Sequence, residues 1–352
     1  MKFSKLLVVS VFVMFLLVRV GTTQTKPDDK PSINIGATLF TDYTYTFSPT
    51  GTDSDGNNFN PSAFNVTRGY LNVTGKLSHL VAFRFTPDIS RETGSGSSLN
   101  GSMTLRVKYA FAQFNLDEYT GKGSWARFGI QQTPYLDYTE NIYRYRFQGT
   151  MFVEREGYFA SADAGASFHY DLPKKYGDLH VGYFNGENYN KSEVNDQKGI
   201  MIRTSFRPLP NTSVLKGLRV SIFYDGDNYV RNAERKRLIG QMTFEHPWVN
   251  AGVEYLNTND QISITKLDVH GQGYSLWATP KFHAGWEGLL RYDHLTPNTD
   301  INQKRNRTIL GAAYWFPHSG NVSSALMVDY DGQTFTTGTA QKKFAVHALV
   351  NF

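Results

Sequence analysis

From Ser32 to Phe352 the chain keeps one rhythm: apolar and polar residues alternate over roughly eight to fourteen positions, and then a polar connection interrupts them. Successive side chains on a strand point to opposite faces, so a period of two gives each run one apolar and one polar face. Such runs fall at 32–47, 63–77, 80–89, 103–116, 124–132, 161–171, 177–185, 198–207, 216–226, 235–246, 248–257, 268–280, 284–293, 306–317, 322–330 and 343–352. Their number, about sixteen, is even, as single-chain bacterial barrels require.

The connections add a second signal. Long polar ones lie near 48–62, 90–102, 133–160, 186–197, 227–234, 258–267, 294–305 and 331–342, with shorter ones such as 76–79, 172–176, 246–247 and 317–320 between them. Outer-membrane barrels alternate long outer loops with short inner turns, whereas a sandwich or solenoid has no reason to. Two inner connections, 117–123 and 208–215, are longer than such turns usually are. The expected fold is all-β, a transmembrane antiparallel β-barrel of about 16 strands over residues 32–352.

Composition removes the alternatives. Charged residues make up 19% of the chain, below the ~25% of soluble domains, while Tyr (21) and Phe (25) are abundant. So many aromatics exclude a disordered chain. Mean hydropathy is -0.41, and beyond the N-terminus no apolar run nears the ~20 residues of a spanning helix. Cysteine is absent, which excludes disulfides, thiol nucleophiles and thiolate metal sites.

Lys2 and Lys5, the apolar stretch from Leu6 to Val18, then Arg19, Gly21, Thr22 and Thr23 read as a secretory signal over residues 1–23, followed by a short leader at 24–31. An uncleaved anchor is the alternative. Without the signal the net charge falls from +5 to about +2, and no basic block remains for nucleic acid.

In lipid the apolar face must point outward, so charges fall on the inward parity. By that rule Arg68, Arg84, Arg106, Lys108, Arg203, Arg219 and Arg291 line the lumen, opposed by outward residues such as Leu71, Phe85, Tyr109, Phe111, Ile202, Val220 and Leu290. Lys236 is an exception near a strand end. Asp88, Asp225, Asp293 and Asp329 are expected at strand ends by the loops, with the arginines nearer mid-strand, which would favour anions. The alternative is that the arginines pair with inward acids and brace the wall. Tyr and Trp at strand ends, including Trp125, Trp248, Trp277 and Trp315, are expected in interfacial girdles, some of them lining the lumen instead.

The third long connection, 133–160, is too apolar for a solvated tail. It is expected to fold inward and narrow the pore as a constriction loop carrying Tyr138, Arg144, Arg146, Glu154 and Arg155. There Arg144, Arg146 and Arg155 would face Asp137, Glu140, Glu154 and Glu156. The alternative is packing over the mouth or against a neighbouring subunit.

The last strand ends in Phe352, with Phe344, Val346, Ala348 and Val350 on its parity. It resembles the terminal signature that bacterial outer-membrane barrels present to their assembly machinery. The stretches FNVTRGYLNVTGKL (64–77), GIQQTPY (129–135), FVERE (152–156), ADAGASFHY (162–170), GYFNGENYN (182–190) and RYDHLTPN (291–298) resemble, in order, the phosphate-selective porin O and P family. The resemblance implies a sixteen-stranded barrel, usually a homotrimer, with an inward third loop and an anion-favouring channel. That family's lysines at the constriction have no counterpart in this third loop.

Catalytic patterns are missing: there is no G-x-S-x-G, no HExxH and no His pair at ligand spacing, so neither an active site, a metal nor a cofactor is expected. The run Asp53, Ser54, Asp55, Gly56, Asn57 lacks the late Glu of a calcium loop. The expected function is a porin in the bacterial outer membrane, in contact with its lipid and passing small anionic or neutral solutes. The alternatives are an outer-membrane barrel enzyme or adhesin, or a secreted soluble β-protein.

Overall fold

The computed structural model describes residues 30–301 and 303–352; the signal expected at 1–23 and nearly all of the leader lie outside them. Among the described residues sixteen strands form one closed barrel. They are β1 (Ser32–Ser48), β2 (Ser62–Lys76), β3 (Val81–Arg91), β4 (Met103–Asn115), β5 (Trp125–Gln132), β6 (Ala162–Leu172), β7 (Gly177–Phe184) and β8 (Gly199–Phe206). The second half comprises β9 (Leu218–Val230), β10 (Ala233–His246), β11 (Val249–Asp260), β12 (Val269–Pro280), β13 (Trp286–Asn298), β14 (Gln303–Trp315), β15 (Ser323–Phe335) and β16 (Gln341–Asn351). Each pairs antiparallel with its chain neighbours, and β1 meets β16 with Tyr43 opposite Val346. At that seam Ala37 and Phe352 exchange backbone hydrogen bonds of 3.0 and 2.9 Å. Closure leaves no unpaired edge, the condition for a sheet in lipid.

The expected alternation governs the wall. In β8, Met201, Arg203 and Ser205 are buried while Ile200, Ile202 and Phe206 are exposed; in β16, Phe344, Val346 and Val350 point out and Ala345, His347 and Leu349 point in. Lys236 is outward, paired with Glu234.

Three expectations are corrected. First, 227–234, 294–305 and 331–342 are largely strand: β9 and β10 are joined by Arg231 and Asn232 alone, β13 runs to Asn298, and β15 to Phe335. These stretches are rich in polar residues, so the periodicity fades while the ladder continues, for example at Asp227↔Arg235. Asn232, at φ 68°, supplies the left-handed residue of a two-residue turn. Loop and turn lengths therefore do not alternate strictly, and Asp225, Asp293 and Asp329 sit inside strands rather than at their ends.

Second, Tyr109 and Phe111 face inward. Thr86 pairs with Tyr109 but Pro87 pairs with Val107, leaving Lys108 as an extra residue. This bulge flips the parity beyond it, burying Tyr109 and Phe111 and exposing Phe114. Pro87 has no N–H for the ladder.

Third, Trp277 is buried, and Trp125 and Trp315 pack against lumen groups. Trp248 and Trp286 do face outward, and Trp286 packs on Tyr314 at 5.2 Å.

The hydrophobic core lies inside the barrel. Inward Phe223, Ile239, Leu256, Trp277, Leu289, Ile309 and Met327 form one buried cluster with the third loop.

Candidate functional site

The third loop leaves β5 at Thr133 and returns at Ser161. Its base is pinched by a Thr133 N–H bond to the Ser161 carbonyl (3.2 Å) and a Thr133 hydroxyl bond to the Ala160 carbonyl (2.8 Å). Two helices follow, α1 (Leu136–Tyr143) and α2 (Phe152–Arg155). Arg144, at φ 68°, ends α1 in the left-handed conformation. Gly149 lets the backbone pass close to the Arg155 guanidinium, which a Cβ there would meet.

Burial explains why this loop folds inward. Leu136, Tyr143, Tyr145, Met151, Phe152 and Val153 are fully enclosed. Tyr135 stacks on Phe223 at 5.2 Å, Tyr143 meets Trp277 edge-on at 5.2 Å, and Tyr145 and Phe147 both meet Trp315 at 5.8 Å. Each such side chain contributes about 1.5–3 kcal/mol on burial.

Polar anchors fix the loop to β8–β15. Asn250 donates to the Ile142 carbonyl (2.8 Å), Arg291 to Thr150 (3.0 Å) and Arg203 to Pro134 (2.7 Å). Tyr145 and Arg144 share Glu287, at 3.0 and 3.2 Å. Arg155 reaches Asp331 (3.3 Å), and Arg305 reaches Glu156 (3.0 Å). Only Arg146 among the three loop arginines pairs within the loop, with Glu140 (2.8 Å) and Glu154 (3.7 Å). The expectation that all three would do so is corrected: wall acids facing Arg144 and Arg155 compete successfully. Tyr138 places its hydroxyl between Ser205 and Ser221, at 3.1 and 3.2 Å.

The expected lumen cations separate into two groups. Arg203 and Arg291 are each 3% exposed; Arg203 is paired with Asp178 and Arg291 with Asp293 (2.8 Å), and both hold the loop. Arg219 pairs with Glu245. Asp88 receives Arg68 (3.0 Å) and Arg106 (3.2 Å), with the Tyr189 hydroxyl at 3.4 Å. Arg84 and Lys108 have no carboxylate partner among the described residues. Arg84 binds the Asn72 side-chain oxygen (2.8 Å) and lies 4.5 Å from the Tyr109 ring centre. Lys108, on the bulge, binds the Tyr70 hydroxyl (3.2 Å) 4.7 Å from that ring's centre.

Sequence reasoning missed Arg127, although it shares the parity of Trp125 and opposes Phe128, which is exposed. Its guanidinium lies 3.8 Å from the Trp125 ring centre. A cavity of about 360 Å³ opens here, lined by Lys76, Arg84, Phe111, Gln113 and Arg127 among others. Burial pushes the Glu140 carboxyl up to about 7; Glu154 adds to the rise while Arg146 and Lys108 oppose it. Phe352, 74% exposed, ends the chain at the seam. Among the described residues no cluster of side chains could hold a metal.

No family model and no curated protein sequence matches this chain. Solved structures do. An anion-selective porin from Comamonas acidovorans is 13% identical, with a TM-score of 0.63 over 92% of this chain and 100% of that one. The outer-membrane channel DcaP of Acinetobacter baumannii is 12% identical, with 0.61 over 94% and 99%. Pseudomonas aeruginosa OpdK, solved with vanillate, is 10% identical, with 0.53 over 91% and 98%. At these identities the likeness establishes the fold, which is that of outer-membrane porins in general and not of the phosphate-selective ones in particular.

Proposed function

We propose that this protein is an outer-membrane diffusion channel that prefers small hydrophilic anions. The observation that carries the reading is the asymmetry of the lumen. The inward loop packs on one side of the wall, and the other side carries Arg84 and Arg127 in the lining of the open cavity, with Lys108 buried near them, none of the three with an ion-pair partner among the described residues. Cations fixed in a narrow, low-dielectric passage lower the barrier for anions and raise it for cations. Aromatic rings hold these cations in place, so their field is preorganised.

The same reading takes residues 1–23 as the export signal, Phe352 as the mark read by the barrel assembly machinery, and a homotrimer as the working form. Phosphate is one candidate solute, with Lys108 of the wall standing where the third loop offers no lysine.

Reconstitution of pure protein in a planar bilayer tests the proposal. Conductance steps with a reversal potential displaced toward the chloride potential in a KCl gradient are the expected result. Absence of steps would refute the channel, and displacement toward the potassium potential would refute the anion preference.

A further inference from the structure

Two neighbouring connections on the turn side are not built as plain turns. Between β6 and β7, Leu172 pairs with Gly177 and the Tyr176 N–H donates to the Pro173 carbonyl (3.3 Å). The central residues of this tight turn, Lys174 and Lys175, both have positive φ, 58° and 64°. That is the pattern of a type I′ turn, which favours Asn-Gly because L side chains at successive left-handed positions are strained. Backbone strain of this kind collects at positions that serve function. The second connection, 207–217 between β8 and β9, is longer than an inner turn needs, and the Arg207 N–H ties it to the first through the Tyr176 carbonyl (2.7 Å).

The strained turn holds two ammonium groups at the rim of the wall. Lys174 and Lys175 are exposed, as is Lys216 at the far end of the long connection, and none of the three has an ion-pair partner among the described residues. Acids at the adjoining strand ends are inward and engaged: Asp178 pairs with Arg203, Glu245 with Arg219, and Asp171 faces His169 at 3.8 Å. Tyr176 follows the lysines and stacks on Phe206 (6.2 Å, 12° between ring planes). Phe206 is on the lipid face, 50% exposed and opposite Val220. Beside Lys216 the long connection exposes Leu209, Val214 and Leu215, so it is basic and apolar at once, as interfacial segments are.

We infer that these two turns form a headgroup site for an anionic phospholipid of the leaflet on the turn side, the periplasmic side of an outer-membrane barrel. Lysine ammonium groups are compact charges that bind phosphate without a fixed fork geometry. Three of them on joined turns suit a lipid with two phosphodiesters, such as cardiolipin. Tyr176 takes the headgroup depth of interfacial aromatics, and the acyl chains lie along Phe206 and Val220. The site faces the bilayer and not the lumen, so it selects the lipid beside the barrel and leaves solute passage untouched.

The test uses the refolded full chain in phosphatidylcholine nanodiscs holding a minor fraction of cardiolipin, with retained lipid counted by native mass spectrometry. Cardiolipin should be retained above its share of the bilayer. Lys174→Asn with Lys175→Gly installs the favoured turn pair, so the folded band on a gel should survive to a higher temperature while the cardiolipin preference falls about tenfold. Lys216→Gln should lower the preference by less, and Lys236→Gln, at the opposite rim, should leave it unchanged. Retention no higher than the bilayer share, or an undiminished preference in the Lys174→Asn, Lys175→Gly variant, would overturn the site. Excess inorganic phosphate should not displace the lipid, and displacement would overturn the lipid as its occupant.

Discussion

Two stretches of the inner wall, β9–β15 and β2–β5, obey the same alternation and differ in what they do with it. Along β9–β15 the inward positions carry a large apolar cluster, as at Phe223, Leu256 and Ile309, and arginines matched by acids, as in Arg291 with Asp293. Along β2–β5 the inward positions include Arg84, Lys108 and Arg127, held against aromatic rings and without an ion-pair partner among the described residues. Inward parity therefore does not by itself make a residue part of the pore. Arg203 and Arg291 anchor the third loop, whereas Arg84 and Arg127 remain field sources next to the acid-paired Arg68 and Arg106.

The largest expected effect falls on the covered side. Arg291→Ala leaves Asp293 buried without its cation, a loss of about 3–5 kcal/mol, and frees the Thr150 carbonyl. The temperature at which the folded, fast-migrating band disappears on a gel should drop clearly, whereas Arg84→Ala should leave it nearly unchanged. Equal drops would erase the distinction between the two sides.

A sharper version uses the absence of cysteine, which gives single-cysteine variants no background. Phe111→Cys should react with a water-soluble thiol reagent through the lumen, and Phe114→Cys, facing lipid, should not. The reverse pattern would remove the bulge at Lys108 and return the wall to unbroken alternation.

In the wall of the open cavity, Arg84→Glu should lower the chloride-to-potassium permeability ratio by roughly tenfold, about 1.4 kcal/mol, with the melting of the folded band less affected than by Arg291→Ala. Reversal potentials in a KCl gradient measure it, and an unchanged ratio would place the selective field elsewhere.

The smallest effect concerns the loop itself. The Glu140 carboxyl, raised to about 7, is ionised above that pH and neutral below it, beside Arg146, Glu154, Asp137 and Lys108. Anion preference should therefore rise as pH falls from 8 to 6, by about twofold for one charge at partial screening. Glu140→Gln should show the higher preference at both pH values, and a persistent slope in that variant would assign the titration to another group.

The wall was legible in the sequence because lipid imposes one apolar face on every strand; all sixteen runs reappear as strands, and the inward fold of 133–160 followed from its aromatic content. The rest was hidden for identifiable reasons. Trp277 and Phe223 belong to a second apolar face inside the barrel, and a period of two specifies two faces without saying which meets lipid. The extra residue at Lys108 is a matter of pairing between strands, hinted at only by Pro87 on the neighbouring strand. The partners of Arg144 and Arg155, Glu287 and Asp331, lie far along the chain, beyond what local spacing can announce.

The pinch at Thr133 and Ser161 has one more consequence. Because the two ends of the loop are already bonded to each other where Gln132 pairs with Ala162, the loop is a detachable module. Splicing Thr133 to Ser161 would preserve strand register and produce a wide, ungated tube whose bared stripe of Phe223, Leu256 and Trp277 becomes a greasy track for hydrophobic cargo.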